Sequence, residues 1–397
     1  MVYHDLVPLE IISVLRPHGE HFLPNLNSLT LRHIREDYIP SIPSLLSPKI
    51  TSVSLSFAYD VSTATIASVI KALPTSCPNL RIIDLLVRPG DPTVRPRDPI
   101  ITAVVSEMLL ATNRNILQQF YIDSPLTEEA NEVIYKLPNL RDLRATVDGL
   151  GSLPTFVLPN LTTMDVKYDG HHGWLRGFRG ATLGKLTSIV LRSEKISPID
   201  GFLGAFESVA LTTSITGTLS EFKNYTPHSW RPEYRSLLPF TQLKELEVRF
   251  YCYNNCSSTT DDSIITDLAR AMPKLEILSL GSTPCQIPAN VTVRGLAVLA
   301  YHCPRLSRLC VHFQIASLDP PAIPQVAPRG EPTVPREDCA LTNLDVGAIP
   351  VSEESALMVA LTLLRIFPCL ERITYTIRGW KKVADVIDLR RTCRSLE

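Results

Sequence analysis

Pro78-Asn79-Leu80-Arg81-Ile82-Ile83-Asp84-Leu85 is a proline and an asparagine followed by three apolar residues spaced L-x-x-I-x-L. The same unit returns as Pro24-Asn25-Leu26 with Leu29 and Leu31, as Pro138-Asn139-Leu140 with Leu143, and as Pro159-Asn160-Leu161 with Met164 and Val166. Later copies open at Pro273-Lys274-Leu275, Pro304-Arg305-Leu306 and Pro368-Cys369-Leu370. Degenerate copies keep the apolar triplet alone: Ile50/Val53/Leu55, Leu117/Phe120/Ile122, Leu186/Ile189/Leu191, Phe206/Val209/Leu211, Leu243/Leu246/Val248 and Leu341/Leu344/Val346. These thirteen starts recur on average every 29 residues or so, roughly the upper end of the range for repeats with one strand per unit. The last apolar pair is spaced by two and therefore points to one face of a short strand. One such strand cannot bury that face alone, whereas stacked copies bury it continuously, which predicts a parallel-sheet solenoid.

Helical patterns fill the intervals. Between Leu55 and Leu80, Ile66, Val69, Ile70 and Leu73 recur at i, i+3, i+4, i+7, with Asp60 or Ser62 as a cap. The same plan fits residues 100–111, 127–137, 261–272, 292–302 and 352–367. Right-handed crossovers place all such helices on one side, so the expected fold is an α/β leucine-rich-repeat solenoid, a horseshoe with a parallel concave sheet and convex helices. Residues 1–22, with a short amphipathic helix over 5–15, are expected to form an N-terminal cap, 23–378 the repeat domain, and 379–397 a helical C-terminal cap. A proline-rich loop over 89–99 and insertions near 168–182, 222–235 and 319–338 interrupt the repeats and map to loops on the rim.

A net charge of −1, with 20% charged and 45% hydrophobic residues, describes a globular chain with no electrostatic footprint for nucleic acid or an anionic membrane surface. The start Met1-Val2-Tyr3-His4-Asp5 lacks a basic region followed by an apolar core, and no apolar run approaches ~18 residues. The nine cysteines are scattered, several of them in or beside the repeat's turn. Together these predict a cytoplasmic or nuclear monomer with reduced thiols.

No constellation for catalysis or a cofactor emerges. Cys252 and Cys256 with His228 lack the second close pair that a zinc site needs. His171-His172 lies in a glycine-rich stretch that fixes no convergent geometry, and His302-Cys303 would project about 100° apart on a helix. No phosphate-binding loop or nucleophile elbow is present.

Binding is better served. With the apolar positions of L-x-x-L-x-L-x facing the core, the third, fifth and seventh face the concave side. That selects Tyr121, Asp123, Asp142, Arg144, Asp165, Lys167, Arg192, Glu245, Glu247, Arg249, Arg308 and His312 as candidates to bind a protein partner. The insertions add Trp174, Phe178, Trp230 and Tyr234, aromatic residues set among arginines, the residue types enriched at binding hot spots.

Repeats of the form Leu23-Pro24-Asn25-Leu26-Asn27-Ser28-Leu29-Thr30-Leu31, preceded by helices and broken by insertions, resemble the leucine-rich portion of fungal F-box proteins. Val7-Pro8-Leu9-Glu10-Ile11-Ile12 looks like the opening of an F-box, while Leu23 already begins a repeat, so an F-box here is missing or reduced to a remnant. The resemblance implies a non-catalytic substrate receptor of a Skp–cullin–F-box ubiquitin ligase, whose F-box binds the cullin adaptor and whose repeats bind the target. The alternative is a repeat scaffold or inhibitor unconnected with ubiquitination.

Overall fold

The computed structural model describes residues 23, 25–87, 98–147, 157–168, 183–193, 221–226, 234–250, 260–281, 290–314, 339–347 and 349–394. The helix expected over 5–15, most of the proline-rich loop, the insertions near 168–182 and 319–338 beyond Tyr168, and the triplet Phe206/Val209/Leu211 lie outside them. Contacts divide the chain into two compact units, Met1–Leu186 and Thr187–Glu397.

In the first unit six strands pair in chain order, all parallel: β1 (Ser28–Ile34), β2 (Ser52–Phe57), β3 (Ile82–Leu86), β4 (Gln119–Pro125), β5 (Asp142–Val147) and β6 (Thr163–Tyr168). The register aligns the second apolar residue of each repeat into one row: Leu29, Val53, Ile83, Phe120, Leu143 and Met164. Every member is buried, as are the leading residues Ile50, Leu80, Leu117, Leu140 and Leu161. Each such side chain contributes about 1.5–3 kcal/mol on leaving water, which is how a strand of five to seven residues is held in place.

The connections follow from local chemistry. A 3-10 turn and α1 (Ile42–Leu45) join β1 to β2. α2 (Thr63–Ser76) is capped by Ser62, whose Oγ accepts from the Thr65 amide, and α3 (Pro99–Ala111) by Asp98, which accepts from the Ile100 amide at 2.8 Å. α4 (Glu128–Ile134) is capped by Thr127 and is shorter than its pattern, because residues 135–136 relax into a turn before Pro138.

The motif asparagines turn out to be ties between repeats. Asn79 Nδ2 donates to the Pro48 carbonyl at 3.0 Å, Asn139 Nδ2 to the Asn115 carbonyl at 2.6 Å, and Asn160 Nδ2 to the Pro138 carbonyl at 2.8 Å. The side-chain oxygen of Asn160 accepts in turn from Lys185, and that of Asn25 from Lys49. Helix starts are tied across repeats as well: Thr63 Oγ1 donates forward to Asp98, and the Thr127 amide donates back to Ser106 Oγ.

The second unit repeats the plan with seven parallel strands in chain order: β7 (Ser188–Ser193), β8 (Glu221–Thr226), β9 (Glu245–Phe250), β10 (Ile277–Gly281), β11 (Arg308–Val311), β12 (Asn343–Gly347) and β13 (Arg372–Tyr375). Its helices are α5 (Asp262–Ala271), α6 (Val293–His302), α7 (Ala356–Ile366) and α8 (Trp380–Arg394). One expectation is corrected here. The strand beside β7 is β8, within the stretch expected to open an insertion, and not one built on Phe206, Val209 and Leu211. The register puts Phe222 in the row of Ile189 and Leu246, and Asn224 in the row of Leu191 and Val248. A polar residue at the third apolar place hides this repeat from the sequence pattern.

α8 closes the unit through Trp380, whose indole is fully buried, donates to the Ile349 carbonyl at 2.6 Å and stands edge-on to Phe313 at 6.2 Å. Gly379 lets this happen, since a Cβ there would meet the Val351 carbonyl oxygen at 2.2 Å.

Candidate binding face

Opposite the core, the register of the first unit aligns a second row: Thr30, Ser54, Asp84, Tyr121, Arg144 and Asp165. β1 and β2 contribute small hydroxyls to it, and β3 to β6 contribute the chemistry. Tyr121 stands half-buried between Asp84 on one strand and Asp142 and Arg144 on the next. Burial pushes its phenol up, the Asp142 and Asp84 carboxylates add to the effect and Arg144 opposes it, so the ring presents a neutral hydroxyl. Ile82 and Leu86, both half-buried on the same face of β3, give it apolar neighbours.

The charged residues are held in place. Asp142 accepts from Gln119 Nε2 at 2.7 Å and from Thr162 Oγ1 at 3.3 Å. Exposed Arg144 brings Nε within 3.6 Å of the Asp165 carboxylate. Ser54 donates to Asp84 at 2.8 Å. Asp123 has a different duty: its carboxylate accepts from the Val87 amide at 2.8 Å and its carbonyl from Thr146, which ties off the ends of three strands. Lys167 lies half-buried on β6.

In the second unit, Arg192 and Arg308 are exposed and Glu245 half-buried, while the side chain of Arg249 lies outside the description. Glu247 and His312 do not present the open surface that their positions predict, with exposures of only 5% and 8%. In a parallel sheet a neighbouring strand lies about 4.8 Å away on each side, and longer side chains shield those between them. Burial holds the His312 imidazole below its ordinary range, against the opposing Asp345 carboxylate.

Trp174, Phe178 and Trp230 lie outside the described residues. Tyr234 is a correction: it opens a 3-10 turn, Tyr234–Leu237, and its ring is 1% exposed, in the core and not on a binding surface. The signal was the spacing Tyr234, Leu237, Phe240, Leu243, one buried residue every third position. Asp84 was missed although the positional rule that chose Tyr121 selects it when applied to the repeat at Leu80.

Among the described residues no group of His, Cys, Asp and Glu could hold a metal ion, and no helix is long and apolar enough to cross a membrane. A row of hydroxyls, carboxylates, one phenol and one guanidinium offers hydrogen bonds, charge and an aromatic face to a partner.

These repeats, one parallel strand each with an aligned apolar row, define a leucine-rich-repeat α/β solenoid. No protein-family model matches the chain, and no curated protein does. Among solved structures it is similar to a chain of the yeast Rad7 and Elc1 complex, at 15% identity over 68% of each chain with a TM-score of 0.45. It is also similar to an internalin (InlF) from Listeria monocytogenes, at 11% identity over 91% of this chain and 86% of that one, with a TM-score of 0.42.

Proposed function

We propose that this chain is a non-catalytic recognition module that binds another protein across the outward face of β3 to β6. The observation that carries the reading is Tyr121, a half-buried aromatic with a neutral hydroxyl, set in register between Asp84 and Arg144 beside the apolar Ile82 and Leu86. Aromatic and arginine side chains within a polar surround carry most of the energy at protein interfaces. Arg192, Glu245 and Arg308 of the second unit, and separately the aromatic residues Trp174, Phe178 and Trp230, are further candidate contacts under this reading.

The finer reading is the target-recognition part of an F-box substrate receptor acting in the cytoplasm or nucleus. Its support is the repeat pattern and Val7 to Ile12, which resemble that family. A scaffold or inhibitor unconnected with ubiquitination is the alternative.

The test is a quantitative affinity purification of the intact chain beside two variants, Tyr121→Ala/Arg144→Glu and, at an exposed residue in the first turn of α6, Arg294→Glu. A partner lost at least tenfold with the first and kept with the second supports the face on β3 to β6. A partner kept with the first overturns it. Co-purification of the cullin adaptor with every form supports the receptor, and its absence supports the scaffold.

A further inference from the structure

Most helices of the repeats turn polar stripes to water, such as Ser68 and Lys71 on α2 and Ser263 and Arg270 on α5. α7 departs from this. Val359, Ala360, Leu363 and Ile366 form its buried stripe. The stripe on the opposite side is exposed and runs Glu354, Met358, Leu361, Arg365, with Glu354 in the turn leading into the helix. This is the i, i+4, i+7, i+11 spacing of one helix face. Leu357, Met358 and Leu361 are 55%, 41% and 50% exposed, a cluster of three on one helix, whereas α3 and α8 each expose a single large apolar side chain, Ile100 and Leu389.

The order of that stripe says what fits on it. Acid, apolar, apolar, base is self-complementary when two copies of the helix run antiparallel about a two-fold axis. Glu354 then meets Arg365 of the second copy at each end, and Met358 meets Leu361 of the second copy in the middle. Glu353 is held by Lys382 of α8 at 2.5 Å, whereas Glu354 and Arg365 engage in no ion pair among the described residues.

We propose that the outer face of α7 is a homotypic docking surface through which two copies of this chain pair antiparallel. Three apolar side chains are far less than the ~800 Å² per partner of a stable complex, so the association is weak and concentration-dependent. It departs from the monomer that the sequence predicts, and it does not depend on the proposed partner face in the first unit.

Sedimentation velocity of the full chain over a rising concentration series is the test. The expected result is a sedimentation coefficient that climbs toward that of a dimer. Leu361→Arg should abolish the climb, and Glu354→Lys should weaken it at least tenfold by setting lysine against Arg365 at both ends. The double swap Glu354→Lys/Arg365→Glu should restore it, because both end pairs are re-formed with reversed polarity. Circular dichroism melts check that each exposed substitution leaves the fold intact; if Leu361→Arg fails to fold, the charge swaps alone decide. A wild-type monomer at every concentration, a dimer indifferent to Leu361→Arg, or a double swap as weak as the single one would each overturn the proposal.

Discussion

The carboxylate of Asp262, in the first turn of α5, accepts from both the amide and the hydroxyl of Thr292, the N-cap of α6, at 2.7 and 2.5 Å. The same carboxylate fills the space beside Gly295, where a Cβ would lie 2.5 Å from Asp262 Oδ1 and 3.0 Å from Val291 Cγ1. One acid therefore caps the next repeat's helix and forbids a side chain on it.

Gly295→Ala should consequently destabilise the protein by about 1–2 kcal/mol, although alanine in an open helix would be favoured by about 1 kcal/mol. Asp262→Ala should cost about 1–3 kcal/mol, since it leaves the Thr292 amide without its acceptor. In the Asp262→Ala background, Gly295→Ala should turn neutral or stabilising. Denaturant unfolding of the four proteins reads the coupling, and strictly additive effects would contradict the geometry.

The asparagine ties predict a contrast within one motif. Asn79 and Asn139 act through their amide donors, so Asn79→Asp and Asn139→Asp should each cost about 0.5–1.5 kcal/mol, as should the alanine variants. Asn25 instead accepts from Lys49 in an exposed position, so Asn25→Asp should stay within about 0.5 kcal/mol of wild type. Equal losses at all three sites would mean that the turn conformation, and not the donor, is what matters.

β8 is an inner strand, paired with β7 and β9, so Lys223→Pro should remove a ladder bond and lower stability by about 3 kcal/mol. A loop at the same place would tolerate proline. An unchanged denaturation midpoint would return residues 221–226 to the insertion that the sequence pattern suggests.

Alkaline pH should weaken the fold through its buried thiols. Burial pushes Cys77 up to about 11 and Cys303 to about 12. Above the unperturbed thiol value near 9 the unfolded chain loses these protons while the folded chain keeps them, so stability is full below pH 9 and falls as pH rises toward 11–12. Cys77→Ala/Cys303→Ala should flatten that decline. Peptide-resolved alkylation of the native protein should modify exposed Cys393 and spare Cys77, Cys303 and Cys339 until unfolding. Fast native labelling of Cys303 would contradict its burial.

The cap Ser62 was legible, as one of two candidates, because a cap satisfies its own helix's amides, a matter of adjacent residues. The apolar rows were legible because a period of two chooses the buried face wherever a triplet is intact. Asn224 broke the triplet of β8, and only pairing with β7 and β9 revealed that strand. Of the candidate face, the sequence selected Tyr121, Asp142, Arg144 and Asp165 as outward residues, where the register sets them, yet it placed Tyr234 on the surface and could not foresee that Glu247 and His312 would leave the water.

By itself the sequence determined the repeat, its strand and helix, and which side chains face the core, since each is set by periodicities a few residues long. Only the tertiary structure decided which outward residues meet: Tyr121 between Asp84 and Asp142, and Asp262 against Gly295 and Thr292. Those partners lie some twenty to forty residues apart in the chain, and inter-strand register, not local spacing, brings them together.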